Sequence, residues 1–391
     1  MGTYIDLGKT NKCSGCTACL NICSKQAISM QRNNKGFLYP VIDRSKCIGC
    51  DLCLKACTWL DKINGIEEST NFYAAKRIDF KKRMQSQSGG AFSVFAEYIL
   101  YNKGIVYGVI FKEGKALYTR ITKLKQLKEL KGSKYMQASV GDVFPLVADD
   151  LKSKKKVLFA GTACHVDGLN RFLRLRNFDK SNLITIDIIC HGVVSPMFFE
   201  KYIEYIEGLK GKKVKWFKFR DKSFGWHGHI TTYKMGNNVY KSKDYARIFY
   251  SSYVLRDTCY ECQYSNLNRV SDITIGDCWG IGDHYPEFDD NKGCSLIIPN
   301  SESGKELFKE TKSQFEFIEI SKEEALQPNL SHPTKRPENY DKFWSDYQKY
   351  GFEYAIYKYC NVEPLNDSLV LQKHQIIKRF VGKIKRMLGI R

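Results

Sequence analysis

The sequence predicts a multidomain chain of α+β and α/β class, with a small cysteine-rich unit ahead of a larger α/β domain. Three observations predict it. Eight of the fifteen cysteines fall within the first 57 residues, in two runs of identical spacing. A polar stretch, DKINGIEESTN (61–71), follows the second run. From about Tyr73 onward, helical and strand patterns alternate, as they do when helices cover the faces of a parallel or mixed sheet. The 391 residues are 43% hydrophobic and 13% aromatic, ample for a packed core and too apolar for a disordered chain.

The first run is Cys13, Cys16, Cys19 and Cys23, and the second is Cys47, Cys50, Cys53 and Cys57. Both read C-x2-C-x2-C-x3-C, the bacterial ferredoxin pattern, in which three close thiolates hold one cubane and the fourth serves the other. The pattern predicts two 4Fe–4S clusters, one on Cys13, Cys16, Cys19 and Cys57 and one on Cys47, Cys50, Cys53 and Cys23. Two residues between ligands let a tight loop wrap the cubane with backbone N–H groups aimed at the sulfurs. Gly15 and Gly49 stand where a turn of positive φ costs least. The proline usual after the fourth cysteine is replaced by Ser24 and Thr58, which removes a stop signal but no ligand. Zinc sites pair their ligands two and two, which this spacing does not.

Past the polar stretch, GAFSVFAEYILYNKG (90–104) predicts an amphipathic helix with Phe92, Phe95, Ala96, Ile99 and Leu100 on one face and Gly104 as its stop. IVYGVIF (105–111), KVLFAG (156–161) and LITIDIIC (183–190) predict short buried strands. Cys164 and Cys190 directly follow two of these, at the strand ends where open α/β sheets form ligand sites. With the pair Cys259 and Cys262 they supply four thiols for a third cluster; buried free cysteine is also common, and spacing alone leaves both readings open. Ser88-Gly89-Gly90 precedes the helix, where free N–H groups either take a simple cap or accept a phosphate.

Six segments, SQSGGAFS (86–93), GSKYMQAS (132–139), GTACHVDGL (161–169), ICHGVVSP (189–196), CYEC (259–262) and GDCWG (276–280), occur in the order of one family. Over roughly residues 75–345 the chain resembles the beta-subunit family of coenzyme F420 hydrogenase/dehydrogenase. The resemblance implies an α/β flavin-binding domain with FAD and a third 4Fe–4S cluster on Cys164, Cys190, Cys259 and Cys262. It implies FAD contacts at Ser88, Gly89 and Gly90, with Lys134 offering a cation to a phosphate and Tyr135 an aromatic face to the flavin. Ala163 and His165 replace the proline and glutamine usual around Cys164. The implied organisation is a ferredoxin-type unit at 1–65, a part with FAD contacts at 66–150, a part with the third cluster at 151–345, and an extension at 346–391. Cys278, Cys294 and Cys360 match nothing in the family and read as spectators. His227 and His229 read as strand surface rather than as a proton donor, His191 as a neighbour of the third cluster, and FRDKSFGW (219–226) as a substrate-contacting loop.

The resemblance implies an oxidoreductase that converts between one-electron clusters and hydride chemistry on FAD. Its partner would be a redox protein or an F420-like cofactor. The alternative is an electron-transfer or recruiting module of a larger complex, in a setting such as surface-polysaccharide biosynthesis. Lys and Arg exceed Asp and Glu by 62 to 42, a net charge of +20, read mainly as a lysine-rich solvated surface. Residues 372–391 carry seven basic side chains and no acid. They alternate apolar and cationic faces at helical spacing, as a helix lying on an anionic membrane does. No nucleic-acid module is visible. With no apolar run near the ~20 residues of a membrane span and no apolar leader, the expected location is cytoplasmic, peripheral at most to the membrane.

Overall fold

The computed structural model describes residues 12–60, 65, 66, 69 and 71–363. The basic tail at 372–391 lies outside the described residues. In the cysteine-rich segment, strands β1 (Ile28–Arg32) and β2 (Leu38–Ile42) pair as an antiparallel hairpin. Short helices α1 (Ala18–Ile22) and α2 (Leu52–Lys55) flank it. The doubled sequence folds as a doubled backbone: Gly15 and Gly49 take φ of 76° and 68°, and Thr17 and Asp51, which cap the two helices, take 61° and 56°.

This segment is packed directly onto the rest of the chain. Cys16, Ala18, Ile22 and Ala56 share one apolar core with Phe144, Val166, Leu169 and Phe198. Polar contacts fasten the hairpin: Arg32 makes a two-pronged bond to Glu200 at 2.8 and 2.5 Å, and Lys35 reaches Asp257 at 3.1 Å.

The main body is built on an eight-stranded mixed sheet of order β13-β3-β12-β11-β7-β6-β4-β5. Its strands are β3 (Phe72–Arg77), β4 (Ile105–Lys112), β5 (Lys115–Ile121), β6 (Val157–Thr162), β7 (Leu183–Ile188), β11 (Ile273–Asp277), β12 (Ser295–Pro299) and β13 (Phe315–Ile320). β4, β6, β7 and β11 run parallel, so their carboxyl ends share one edge. Alternation along the strands splits the core in two. Val157 and Phe159 face α4 (Val143–Lys152), α5 (Ala163–Leu175) and α6 (Pro196–Lys210), whereas Leu158 and Ala160 face α3 (Ala91–Tyr101) and α8 (Glu302–Thr311). A second, three-stranded antiparallel sheet combines β8 (Val214–Lys218), β9 (Thr231–Met235) and β10 (Asn238–Ser242), with α7 (Asp244–Tyr250) after it. Helices α9 (Tyr340–Tyr350) and α10 (Phe352–Tyr359) close the body around Phe198, whose ring meets those of Phe343, Trp344, Tyr347 and Phe352.

The predicted helix and strands form where expected, with two local differences. Phe92 is only half-buried while Ala91 and Val94 are buried, so the apolar face is rotated toward the start of α3. The helix ends ahead of Gly104, whose N–H donates back to the Ile99 carbonyl at 2.8 Å, but the left-handed turn at φ 57° falls on Lys103 rather than on the glycine. Gly104 is required instead for close packing, since a Cβ there would lie 2.7 Å from the Lys156 carbonyl oxygen and from Ile99.

Candidate redox centre

Each cysteine run is split between two cavities. Cys13, Cys16, Cys19 and Cys57 line one, together with Thr58 and Trp59. Cys47, Cys50, Cys53 and Cys23 line the other, a cavity of about 50 Å³. The fourth cysteine of each run thus sits with the other run's triplet, because the hairpin carries it across. Backbone amides point at sulfurs as the spacing predicts: Gly15 N–H donates to Cys13 Sγ and Ala27 N–H to Cys23 Sγ, both at 3.4 Å. Among the described residues, no three His, Cys, Asp or Glu side chains converge closely enough to hold a single metal ion; these thiols line cavities instead.

The two sets differ in surroundings. Cys13, Cys16, Cys19 and Cys57 are all buried, whereas Cys47 and Cys50 are exposed. Burial, reinforced by the neighbouring sulfurs, pushes the Cys16 and Cys19 thiols up, and Cys57 up to about 11. Sulfurs crowded without countercharge resist ionising; binding cationic iron relieves that crowding. The donor sets therefore fit cubane clusters.

A second group of thiols assembles at the carboxyl edge of the main sheet. Cys164 is the second residue of α5 after β6, Cys190 follows β7, and Cys259 and Cys262 sit on the turn at Asp257–Glu261 and just past it. Burial raises Cys164, Cys190 and Cys259, and their mutual repulsion together with Cys262 adds to it. Thr162 Oγ1 lies 3.2 Å from Cys164 Sγ, and the amides of Gly192 and Val193 point at Cys190 and Cys259. This group adjoins the buried quartet. A Cβ on Gly168 of α5 would lie 3.1 Å from Cys16 Cβ and 3.3 Å from its Sγ, a tight contact that the glycine avoids. Arg256 ties them together: its guanidinium donates to the carbonyls of Cys13 and Leu38 and to Gln137 Oε1. Sequence reasoning passed over Arg256, although it stands just before the CYEC pair.

Beside this group lies a buried polar and aromatic cluster. Asp277, at the end of β11, pairs with Arg220 at 2.5 Å and accepts from Trp226 Nε1 at 2.9 Å. Trp226 stacks on Trp279 at 4.9 Å, and His229 stacks on the same ring. The segment 219–226 is thus largely a wall of the interior, with Arg220, Lys222 and Trp226 buried and Phe224 exposed. His227 and His229 lie on a turn ahead of β9, not on a strand. His227 Nε2 meets Asp289 at 2.8 Å; burial and Arg220 push His229 down to about 4, leaving it a neutral partner for the Tyr250 hydroxyl at 3.0 Å. His191 is held between Ser252 and Thr334.

The predicted FAD residues sit next to this cluster, and most of their polar groups are engaged. Ser88 has φ 54°, and its hydroxyl donates to the Cys294 carbonyl at 2.6 Å. Gly89 N–H donates to Ser295 Oγ and Gly90 N–H to the Gln87 carbonyl. A Cβ on Gly89 would strike the Ala75 carbonyl and lie 2.6 Å from Ser295 N, so this glycine serves the approach of α3 to the sheet. Lys134 Nζ donates to the carbonyls of Glu129, Leu130 and Lys131, and burial pushes its ammonium down to about 7. Tyr135 stacks on Phe249 at 4.5 Å. Lys222, given no role from sequence, donates to the Arg83 and Ser88 carbonyls at 2.9 and 2.5 Å. Burial, then the Arg83 charge, push it down to about 7. Cys278 and Cys294 are buried cross-strand neighbours, and Cys360 accepts from Ser251 at 3.3 Å.

Among the described residues no helix is long and apolar enough to cross a membrane. Residues 12–59 match the 4Fe-4S dicluster domain, and residues 154–324 match the carboxyl-terminal region of the coenzyme F420 hydrogenase/dehydrogenase beta subunit. The beta subunit of F420-dependent formate dehydrogenase from Methanocaldococcus jannaschii is 23% identical over 249 residues, 62% of this chain and 60% of that protein. The chain therefore spans less than two thirds of that relative's length. A chain of the F420-reducing NiFe hydrogenase complex from Methanosarcina barkeri aligns with a TM-score of 0.45 at 14% identity, over 68% of this chain and 87% of that one. By its two matches, the chain joins a segment similar to the 4Fe–4S dicluster domain to a region, residues 154–324, similar to the carboxyl-terminal part of the coenzyme F420 hydrogenase/dehydrogenase beta subunit.

Proposed function

We propose that the chain is an iron–sulfur flavoprotein oxidoreductase that passes electrons between a one-electron carrier and a hydride-transferring substrate such as an F420-like deazaflavin. The observation that carries this reading is the succession of thiol sets. Cys47 and Cys50 reach the surface, the Cys13 set is buried behind them, and Gly168 brings that set against α5, whose first turn carries Cys164. Beyond stand Arg220, Trp226, Trp279 and Tyr250 at the carboxyl edge of the sheet. The roles read onto the cysteines are cluster ligation, with Cys164, Cys190, Cys259 and Cys262 holding the third cluster.

FAD, when bound, supplies the exchange between single electrons and hydride. Two buried donors without partners, Gln87 Nε2 beside Ser88 and Arg220 Nε, support a polar ligand in this region. Lys222 and Arg220 would compensate anionic charge there, and the paired tryptophans would exclude water. With Gly89 and Gly90 N–H already bonded, their contribution is to bring the helix start close to the sheet. The name of the formate dehydrogenase relative, a subunit that is F420-dependent, supports F420 chemistry and a place in a larger complex.

The test is anaerobic purification with iron, sulfide and flavin quantitation, then a screen of F420, NAD(P)H and ferredoxin. Three cubanes give about twelve irons per chain, with stoichiometric FAD. About eight irons without flavin would overturn this reading and favour an electron-transfer module with no substrate of its own.

A further inference from the structure

We infer that the loop from Asp43 to Asp51 is the docking surface for an acidic one-electron carrier protein. This rests on the redox reading above and names the partner of its outer cluster. Of the twelve cysteines in the three sets, only Cys47 and Cys50 are exposed. Electrons exchanged with another protein therefore have their shortest exit here. Between the two cysteines Ile48 is 63% exposed, although an isoleucine gains by leaving water. Lys25, Arg44, Lys46 and Lys55 stand exposed around it. Two acids share the rim: Asp43 is bonded to Ser45 at 2.6 Å and offsets Lys46 in part through an ion pair at 3.4 Å, and Asp51 is half-buried, so the cations outnumber the acids four to two.

An apolar tip inside a cationic ring suits brief, repeated encounters. The ring steers a carrier of opposite charge and orients it, and the tip expels a little water on contact. Electron-transfer encounters use small interfaces, which this loop matches in scale. The Cys13 set has no such rim: its four cysteines are buried.

The experiment uses the full chain, loaded with clusters anaerobically. A reduced acidic 2[4Fe–4S] ferredoxin and reduced methyl viologen each donate electrons, and the second-order rate of cluster reduction is followed against salt. In the variant Lys25→Glu/Lys46→Glu the ferredoxin rate is expected to fall about tenfold at low salt and to lose most of its salt dependence. Its iron content should match the parent, and its rate with the cationic viologen should not fall. Ile48→Ser should lower the ferredoxin rate by a smaller factor at every salt concentration. Equal ferredoxin rates and salt slopes in parent and double variant would overturn the docking surface. So would a cluster reduced by viologen but not by the ferredoxin. A chain without iron, or one that viologen cannot reduce, would instead overturn the redox reading beneath it.

Discussion

The two cysteine runs share spacing, backbone conformation and a short helix that carries the third cysteine of each, yet they end in opposite environments. The triplet Cys13, Cys16 and Cys19 is buried against α5 and beneath Arg256, whereas Cys47 and Cys50 are exposed beside Ile48. Local pattern sets the shape of a ligand loop; the surface it packs on sets its contact with water. Cluster potentials respond to exposure and to hydrogen bonds at the sulfurs, so one repeated motif can supply two unlike electron carriers.

The largest effect separates the two sets by their ligands. Cys23→Ser should remove the cluster on Cys47, Cys50 and Cys53 while sparing the buried one, although Cys23 belongs to the first run. Electron paramagnetic resonance of the reduced protein checks this; loss of the buried cluster's signal alone would break the crossed assignment. Next comes the anchor that makes the buried set different. Arg256→Ala removes a charged donor from the Leu38 carbonyl and one of the two donors of the Cys13 carbonyl, which keeps Thr258 Oγ1, each lost bond being worth roughly 1.5–3 kcal/mol. Thermal unfolding of the anaerobic protein should show a loss of about 3 kcal/mol. An unchanged midpoint would mean that packing alone seats the segment. A smaller effect is expected from Gly168→Leu, which overfills the gap beside Cys16 at a cost of about 1–3 kcal/mol. It should disturb the spectrum of the buried cluster and leave that of the outer one unchanged.

The crossed grouping of the thiols in two cavities was legible because a cubane that takes three thiolates from one tight loop and one from its twin writes that pattern in consecutive residues. The strands that end at Cys164 and Cys190 were legible for a similar reason, as short apolar runs bounded by turns. Burial of one run and exposure of the other was not, since Arg256, Gly168 and Cys16 meet only through folding. The stop ahead of Gly104 was legible but its reason was not, since the left-handed turn falls on Lys103 and the glycine answers a close approach of Lys156, a neighbour distant in sequence. The aromatic cluster around Asp277 stayed hidden too: GDCWG and FRDKSFGW lie far apart along the chain, and Asp277 joins them by pairing with Arg220 and Trp226.

The departure from proline after each run sharpens the comparison at its finest scale. Thr58 follows the second run and is buried, with its hydroxyl 3.7 Å from Cys16 Sγ and 3.3 Å from Ser14 Oγ. Ser24 follows the first run and is exposed. A hydroxyl aimed at a cluster sulfur favours the reduced state, which carries more negative charge, and so raises the potential. Thr58→Val keeps the shape and removes that donor. If the bond is worth about 0.5–1.5 kcal/mol, one-electron conversion at 59 mV per 1.4 kcal/mol makes the buried cluster about 20–60 mV more negative. Ser24→Ala, lacking any such contact to lose, should leave the outer cluster where it was. Potentiometric titration of the two signals measures both. Equal shifts in the two variants would show that the hydroxyls act only through solvent, and that the buried and exposed runs differ in burial but not in bonding.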